Sequence, residues 1–200
     1  MSARRVLFIR HGQTDFNLEH RLQGALPVPL NDCGRSQSRA LACYLKSVAI
    51  DAIYTSPRSR ALETAEIIGA VLGQDVREDE RLAEIAFGDF EGHTFAEVES
   101  LFPKAYQKWE TGYRPYRVPG GESRLDVQRR MQAAWDDITG AANMATVAIV
   151  GHSSAMMILF ASMFAQLPDK AMKNTSITTL DRFEDIWRIS AFAEMPHLTG

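Results

Sequence analysis

Val6-Leu7-Phe8-Ile9 runs without a break into Arg10-His11-Gly12, and Thr146-Val147-Ala148-Ile149-Val150 runs the same way into Gly151-His152-Ser153. Short continuous apolar runs bounded by glycine read as strands buried on both faces. Each delivers an imidazole at its carboxyl end, the edge where open α/β sheets bind ligands. One shared pocket follows from the pair, and Arg10 biases it towards anions.

The remaining elements are read outward from these strands. Gly12 to Asn31 shows no periodicity, and so long a loop inside a compact domain is usually functional. A helix is expected from Asn31 or Asp32 to Lys46, then a short strand over Asp51–Thr55. Ser56-Pro57 supplies an N-cap and first-turn proline for a second helix with Leu62, Ala65, Ile68 and Leu72 on one face. Val76 opens a weaker extended piece leading to Leu82 and Glu84. Turn-rich residues 87–92 precede short helical segments near 94–111. After Pro119-Gly120-Gly121, the spacing of Val127, Met131, Ala134, Trp135 and Ile138 predicts an amphipathic helix. A helix from about Ser154 to Gln166 follows the second histidine. Ile177–Phe183 and Ile186–Phe192, split by Glu184-Asp185, read as a terminal hairpin. This alternation predicts a three-layer α/β/α fold with a mostly parallel central sheet and an antiparallel edge.

Two hundred residues fit a single domain, expected over 1–200. A net charge of −3 argues against generic binding to nucleic acid or acidic membranes, so any attraction for an anionic partner is local. Cys33 and Cys43 do not share a helix face and read as free thiols of a reducing compartment. The amino terminus has too few apolar residues for a signal-peptide core, and Ala155 to Ala165 is about half a membrane span. A soluble, cytoplasmic protein is expected.

Three β-to-α junctions carry reactive side chains: Arg10-His11-Gly12, Ser56-Pro57-Arg58-Ser59-Arg60 and Gly151-His152-Ser153. Two imidazoles with guanidiniums, ringed by helix N-termini, suit a phosphoryl group. A neutral histidine can attack phosphorus if one ring nitrogen is free and the other is fixed as a donor. Arginines would share charge on the equatorial oxygens. The leaving alkoxide then needs a proton, for which Glu84, Glu91 and Asp15 all stand as candidates.

Arg10-His11-Gly12-Gln13-Thr14, followed by Asn17 and Gln23-Gly24, resembles the opening signature of the histidine phosphatase superfamily, phosphoglycerate mutase-like branch. Ser56-Pro57 with Arg60-Ala61 and Thr64-Ala65 supports it, as do Glu84, Phe87-Gly88 and Glu91-Gly92. Pro119-Gly120-Gly121-Glu122-Ser123 and Gly151-His152-Ser153 come in the expected order. The resemblance implies His11 as phosphorylated nucleophile and Glu84 as proton donor, with Arg10, Arg60 and His152 holding the phosphoryl group. Thr14, Asn17, Gln23, Gly24 and Ser153 would contact substrate. Water would then attack the phosphohistidine, with Glu84 as base. No metal or organic cofactor is implied.

The expectation is a metal-independent phosphatase acting on a small phosphorylated metabolite. A mutase using the same phosphohistidine is the nearest rival. As the resemblance goes, mutases carry a longer insertion, whereas only 35 residues separate Glu84 from Gly120. A metal-dependent hydrolase using His11, His152, Asp15 and Glu84 would place its cation beside repelling arginines. A non-catalytic phosphate sensor on this scaffold is the third alternative. Arg58 reads as a solvated or rim charge, and His20, His93 and His197 as structural or exposed, with His93 near enough to the cleft for a place on its rim. Ser153 also reads as a helix N-cap. Residues 93–118, where Lys104, Lys108, Arg114 and Arg117 alternate with Tyr106, Trp109 and Tyr116, read as a lid rather than a nucleic-acid surface. An exposed sheet edge could pair two copies.

Overall fold

The structure, a computed structural model, describes residues 3–141 and 144–198; the ends of the expected 1–200 domain and residues 142–143 lie outside them. Its strands are β1 (Arg5–Arg10), β2 (Ala52–Thr55), β3 (Val76–Glu78), β4 (Thr146–Gly151), β5 (Ile177–Phe183) and β6 (Ile186–Glu194). They form one sheet in the order β3-β2-β4-β1-β5-β6. β3, β2, β4 and β1 are parallel, and β5 and β6 add the antiparallel edge.

Side chains alternate across a strand, and on β1 both alternations are apolar. Val6 and Phe8 enter one core with Val127, Met131, Trp135, Met156 and Phe160. Leu7 and Ile9 enter the other with Leu41, Leu45, Ala61, Ala65 and Ile68. The second core lies under α2 (Asp32–Leu45) and α3 (Ser59–Leu72), the first under α6 (Arg124–Gly140) and α7 (Ser153–Met163). The three expected layers result. Phe8 binds the first core tightly: it stacks on Trp135 with centroids 5.7 Å apart and meets Phe160 edge-on at 4.9 Å.

Local chemistry sets the helix ends. Asn31 accepts from the Gly34 N–H to start α2, and Ser123 and Asp126 form a reciprocal capping box on α6. The start of α3 corrects the sequence expectation: it opens at Ser59 with Arg58 as cap, and Ser56-Pro57 belong to the preceding turn. Its buried face carries Ala61, Ala65 and Ile68, while Leu62 and Leu72 are only half-buried. The stretch read as structureless holds a one-turn helix, α1 (Asp15–Leu18), closed by a capping box between Thr14 and Asn17. α7 ends at Met163, short of the expected Gln166, and its cap is His152 rather than Ser153. Residues 93–118 fold as α4 (Phe95–Leu101) and α5 (Pro103–Glu110). Among the described residues no helix is long and apolar enough to cross a membrane.

Candidate active site

β2, β4 and β1 are consecutive and parallel, so their carboxyl ends lie side by side. Backbone bonds join the junctions beyond the strands: His11 N–H donates to Gly151 O at 2.9 Å, and Ser56 N–H donates to Val150 O at 3.0 Å. The His11 and His152 rings are thereby brought to a centroid separation of 5.2 Å. Gly12 permits the close packing of this junction against α2, since a Cβ there would stand 2.6 Å from Gly34 O.

His11 has a fixed orientation. Its Nδ1–H donates to Gly12 O at 2.7 Å, which leaves Nε2 as the ring nitrogen with a lone pair. The imidazole is buried and lines a cavity of about 900 Å³ together with Arg10, Arg60 and Glu84. Burial, then the charges of Arg60 and Arg10, hold its pKa well below the ordinary histidine value. At neutral pH the ring is uncharged.

The two guanidiniums are tethered by carbonyls rather than neutralised by carboxylates. Arg10 Nη1 donates to Met172 O at 2.6 Å; Arg60 donates from Nη1 to Leu26 O at 3.1 Å and from Nη2 to Gly24 O at 2.9 Å. Burial lowers the Arg60 pKa to about 10, and that of Arg10 falls for the same reason, so both stay charged near pH 7. The Nε of each is buried without a hydrogen-bond partner among the described residues. Unsatisfied buried donors of this kind fit an anion.

Glu84 is 7% exposed and sits at the start of α7. Its Oε1 accepts from the N–H groups of Ile85 (3.0 Å) and Ala155 (2.9 Å), whereas Oε2 has a single long contact, 3.3 Å, from Ser154 N–H. Oε2 is the oxygen left able to carry or take a proton. The other two carboxylates considered from sequence are occupied elsewhere. Glu91 Oε1 accepts from Ala25 and Phe87 N–H, and exposed Asp15 accepts from the Asn31 amide. Among the described residues no group of three or more His, Cys, Asp or Glu is arranged to hold a metal ion.

Asn17, Gln23, Gly24 and Ser153 line the cavity. Thr14 is buried but not among its lining, and its hydroxyl is used in the cap of α1. His152 is fully buried behind the cavity wall, its Nε2 paired with Ser56 Oγ at 2.8 Å. Arg58 caps α3 and is not in the lining. His20, read as structural or exposed, is exposed and borders the cavity; His93 does not. His197 pairs with Thr175 Oγ1 at 2.9 Å. In the 93–118 segment the aromatic rings of Tyr106, Trp109 and Tyr116 turn inward while Lys104, Lys108, Arg114 and Arg117 are exposed.

Sequence reasoning missed Asn174. Its Nδ2 donates to His11 O (3.0 Å), Gly12 O (3.2 Å) and Asn17 Oδ1 (3.0 Å). The adjoining Thr175 N–H donates to Arg10 O at 3.0 Å, from a backbone with φ of 58°. This loop after α7 braces the turn that carries the histidine. It lacks periodicity, so only the pairing of an amide with a turn could have hinted at it.

Comparison with known proteins supplies the family. Residues 6–194 match the model of the histidine phosphatase superfamily (branch 1). The chain is 33% identical over 199 residues to phosphoglycerate mutase-like protein 4 of Arabidopsis thaliana, covering 96% of this chain and 86% of that protein. A mycobacterial glucosyl-3-phosphoglycerate phosphatase solved with VO3 superposes with a TM-score of 0.84 at 32% identity, over 96% of this chain and 99% of that one. The phosphoserine phosphatase of Entamoeba histolytica, solved as a mutant with phosphoserine, gives 0.84 at 28% identity, over 97% and 98%. The chain belongs to the histidine phosphatase superfamily.

Proposed function

We propose that this protein hydrolyses small phosphomonoesters through a phosphohistidine on His11, in the cytoplasm and without a metal ion. The observation that carries the reading is the state of His11: Nδ1–H spent on Gly12 O, the ring neutral, and Nε2 free in a cavity with two charged arginines. The likeness to phosphatases of glucosyl-3-phosphoglycerate and phosphoserine supports the substrate class. The exposed, unpaired Cys33 and Cys43 fit a reducing compartment.

In the first step the Nε2 lone pair attacks phosphorus and the bond to the ester oxygen breaks. Glu84 Oε2 delivers a proton to the departing alkoxide. Arg10 and Arg60, whose Nε–H groups are otherwise unsatisfied, take the charge on the equatorial oxygens. The adjacent His152, behind the cavity wall with Nε2 paired to Ser56, is held neutral mainly by its burial and so does not repel the cationic imidazolium formed on His11. In the second step Glu84 takes a proton from water, the water oxygen bonds to phosphorus, and the P–N bond breaks. Inorganic phosphate leaves and the imidazole is neutral again. Asn17, Gln23, Gly24 and Ser153 hold the ester group. The whole chain works as one domain, with residues 93–118 as a lid over the cavity.

Rapid quench of turnover with a radiolabelled phosphomonoester tests the reading. An acid-labile, alkali-stable label on His11 is expected, absent in His11→Ala together with turnover, and activity is expected to survive EDTA. Turnover by His11→Ala at the wild-type rate would overturn it. Interconversion of phosphoglycerates without phosphate release would replace hydrolysis by isomerisation.

A further inference from the structure

The cavity holds a cation that the phosphoryl chemistry does not use. Arg124, the first residue of α6, lines the same space as His11 and Glu84, on the wall formed by Ile85, Phe87, Phe95 and Trp109. Its guanidinium lies over the Trp109 ring, 4.8 Å from the centroid. Trp109 is itself held between Phe95, at 5.6 Å, and Phe90, at 6.3 Å. A Cβ at Gly112 would stand 3.3 Å from Arg124 Nη1, so the backbone closes on the guanidinium from a further side.

The seat is unusual for an arginine that serves the fold alone. A cation in the first turn of a helix opposes the helix dipole. The nearby carboxylates do not compensate: Glu122 is bonded by Arg130 and Asp126 by Arg117, each at 2.8 Å. Among the described residues Arg124 forms neither an ion pair nor a hydrogen bond through its guanidinium, and the ring of Trp109 is its contact. Burial without a counter-charge lowers its pKa. A partly desolvated guanidinium with its donors unspent binds an anion strongly, since the desolvation is already incurred.

Resting on the phosphatase reading, we infer that Arg124, stacked on Trp109, forms a second anion subsite, and that the preferred substrate carries an anionic group in addition to the phosphoryl group that is removed. The shared chemistry is a carboxylate or a second phosphate on the leaving group. Phosphoryl transfer at His11 needs only Arg10 and Arg60, so Arg124 selects which ester enters.

Calorimetric binding of non-hydrolysable probes tests this independently of turnover. The probes are alkylphosphonates of two to five carbons, the ω-phosphonocarboxylates of matching length and the α,ω-bisphosphonates. At least one doubly anionic probe is expected to bind ten-fold or more tightly than its alkyl match, and whether it is a carboxylate or a bisphosphonate names the second group. In Arg124→Gln that ratio is expected to fall to within two-fold of unity. In Arg39→Gln, which alters an exposed arginine outside the cavity lining, the ratio is expected to persist. An absent preference in the wild type, or a preference that survives in Arg124→Gln, would overturn the inference. Hydrolysis is read separately, with phenyl phosphate and with the phosphate esters that correspond to the doubly anionic probes: hydrolysis of any of them with no probe preference sinks this inference alone, and a probe preference with none of these esters hydrolysed sinks the phosphatase reading alone.

Discussion

Glu84 and Ala155 are joined by a hydrogen bond of 2.9 Å that ties the carboxylate to the first turn of α7, directly after the strand that delivers His152. Oε1 is thereby committed to backbone, and Oε2 faces the chemistry with one weak contact. Glu84→Gln keeps the shape and an acceptor oxygen but cannot supply a proton. A loss of about 10²–10⁴ in kcat is expected for alkyl phosphates, the usual contribution of a general acid. An aryl phosphate whose leaving group needs no proton should lose far less in the phosphorylation step. Equal losses for both ester classes under single-turnover conditions would remove Glu84 from the acid role.

Two buried imidazoles give the protein an acid-sensitive window. Both His11 and His152 have folded pKa values well below the ordinary one, burial being the first cause in each. The unfolded chain therefore binds these protons more readily, at about pH 6.5. The stability associated with neutral rings is complete above that value and declines as pH falls below it, by at most about 1.4 kcal/mol per pH unit for each ring. The carboxylates with lowered pKa, Asp79, Glu97, Glu122, Asp126 and Asp181, act mainly below about pH 5, where Asp and Glu of the unfolded chain titrate. Urea midpoints measured from pH 7.5 to 5 should fall, with a shallower slope in His152→Asn. A flat profile over that range would mean the rings are not buried as described.

The parts of the fold that the sequence displays plainly are those whose side chains repeat. β1 and β4 are continuous apolar runs because both faces are covered, and α6 shows its buried stripe at every turn. The site is legible where it depends on strand ends, since parallel neighbours must end on one edge. Ser56-Pro57 misled because the same residue types open helices and turns; here the Ser56 hydroxyl pairs with His152 and accepts from Arg58 N–H. Thr14 misled in the opposite sense: the spacing from Thr14 to Asn17 is that of a capping box, which is where its hydroxyl goes. Asn174 acts on residues 163 positions away in the chain, and no local pattern encodes such a contact.

Phe8 couples the core to the site, three residues before His11. Its ring is fully buried and contacts Trp135 and Phe160 from helices α6 and α7. Phe8→Ala should cost about 3–5 kcal/mol, the range for emptying an aromatic site. That is a large share of a typical domain stability of about 5–15 kcal/mol. A denaturant midpoint lowered at unchanged m-value would register it. A loss below about 1 kcal/mol would show that the two helices close over the space.

Asn174 should behave as a positioning residue. Its amide donates to two carbonyls of the His11-Gly12 turn and to Asn17, so one side chain fixes both the nucleophile and a cavity-lining residue. Gly12 O is also the acceptor that sets the His11 tautomer. Removing the amide leaves that carbonyl free to tilt, and with it the direction of Nε2. A displacement of about 1 Å at a reacting atom can cost about 10²-fold in rate. Asn174→Ala is therefore expected to lower kcat by roughly ten- to a hundred-fold with little change in the affinity for inorganic phosphate, because Arg10 and Arg60 hold the anion through other tethers. Asn174→Asp should be worse than Ala: it turns acceptors upon acceptors and sets a negative charge beside the turn. A variant that loses phosphate affinity and kcat in step would instead mark a general collapse of the pocket, and an unchanged kcat would show that β1 alone aims the ring.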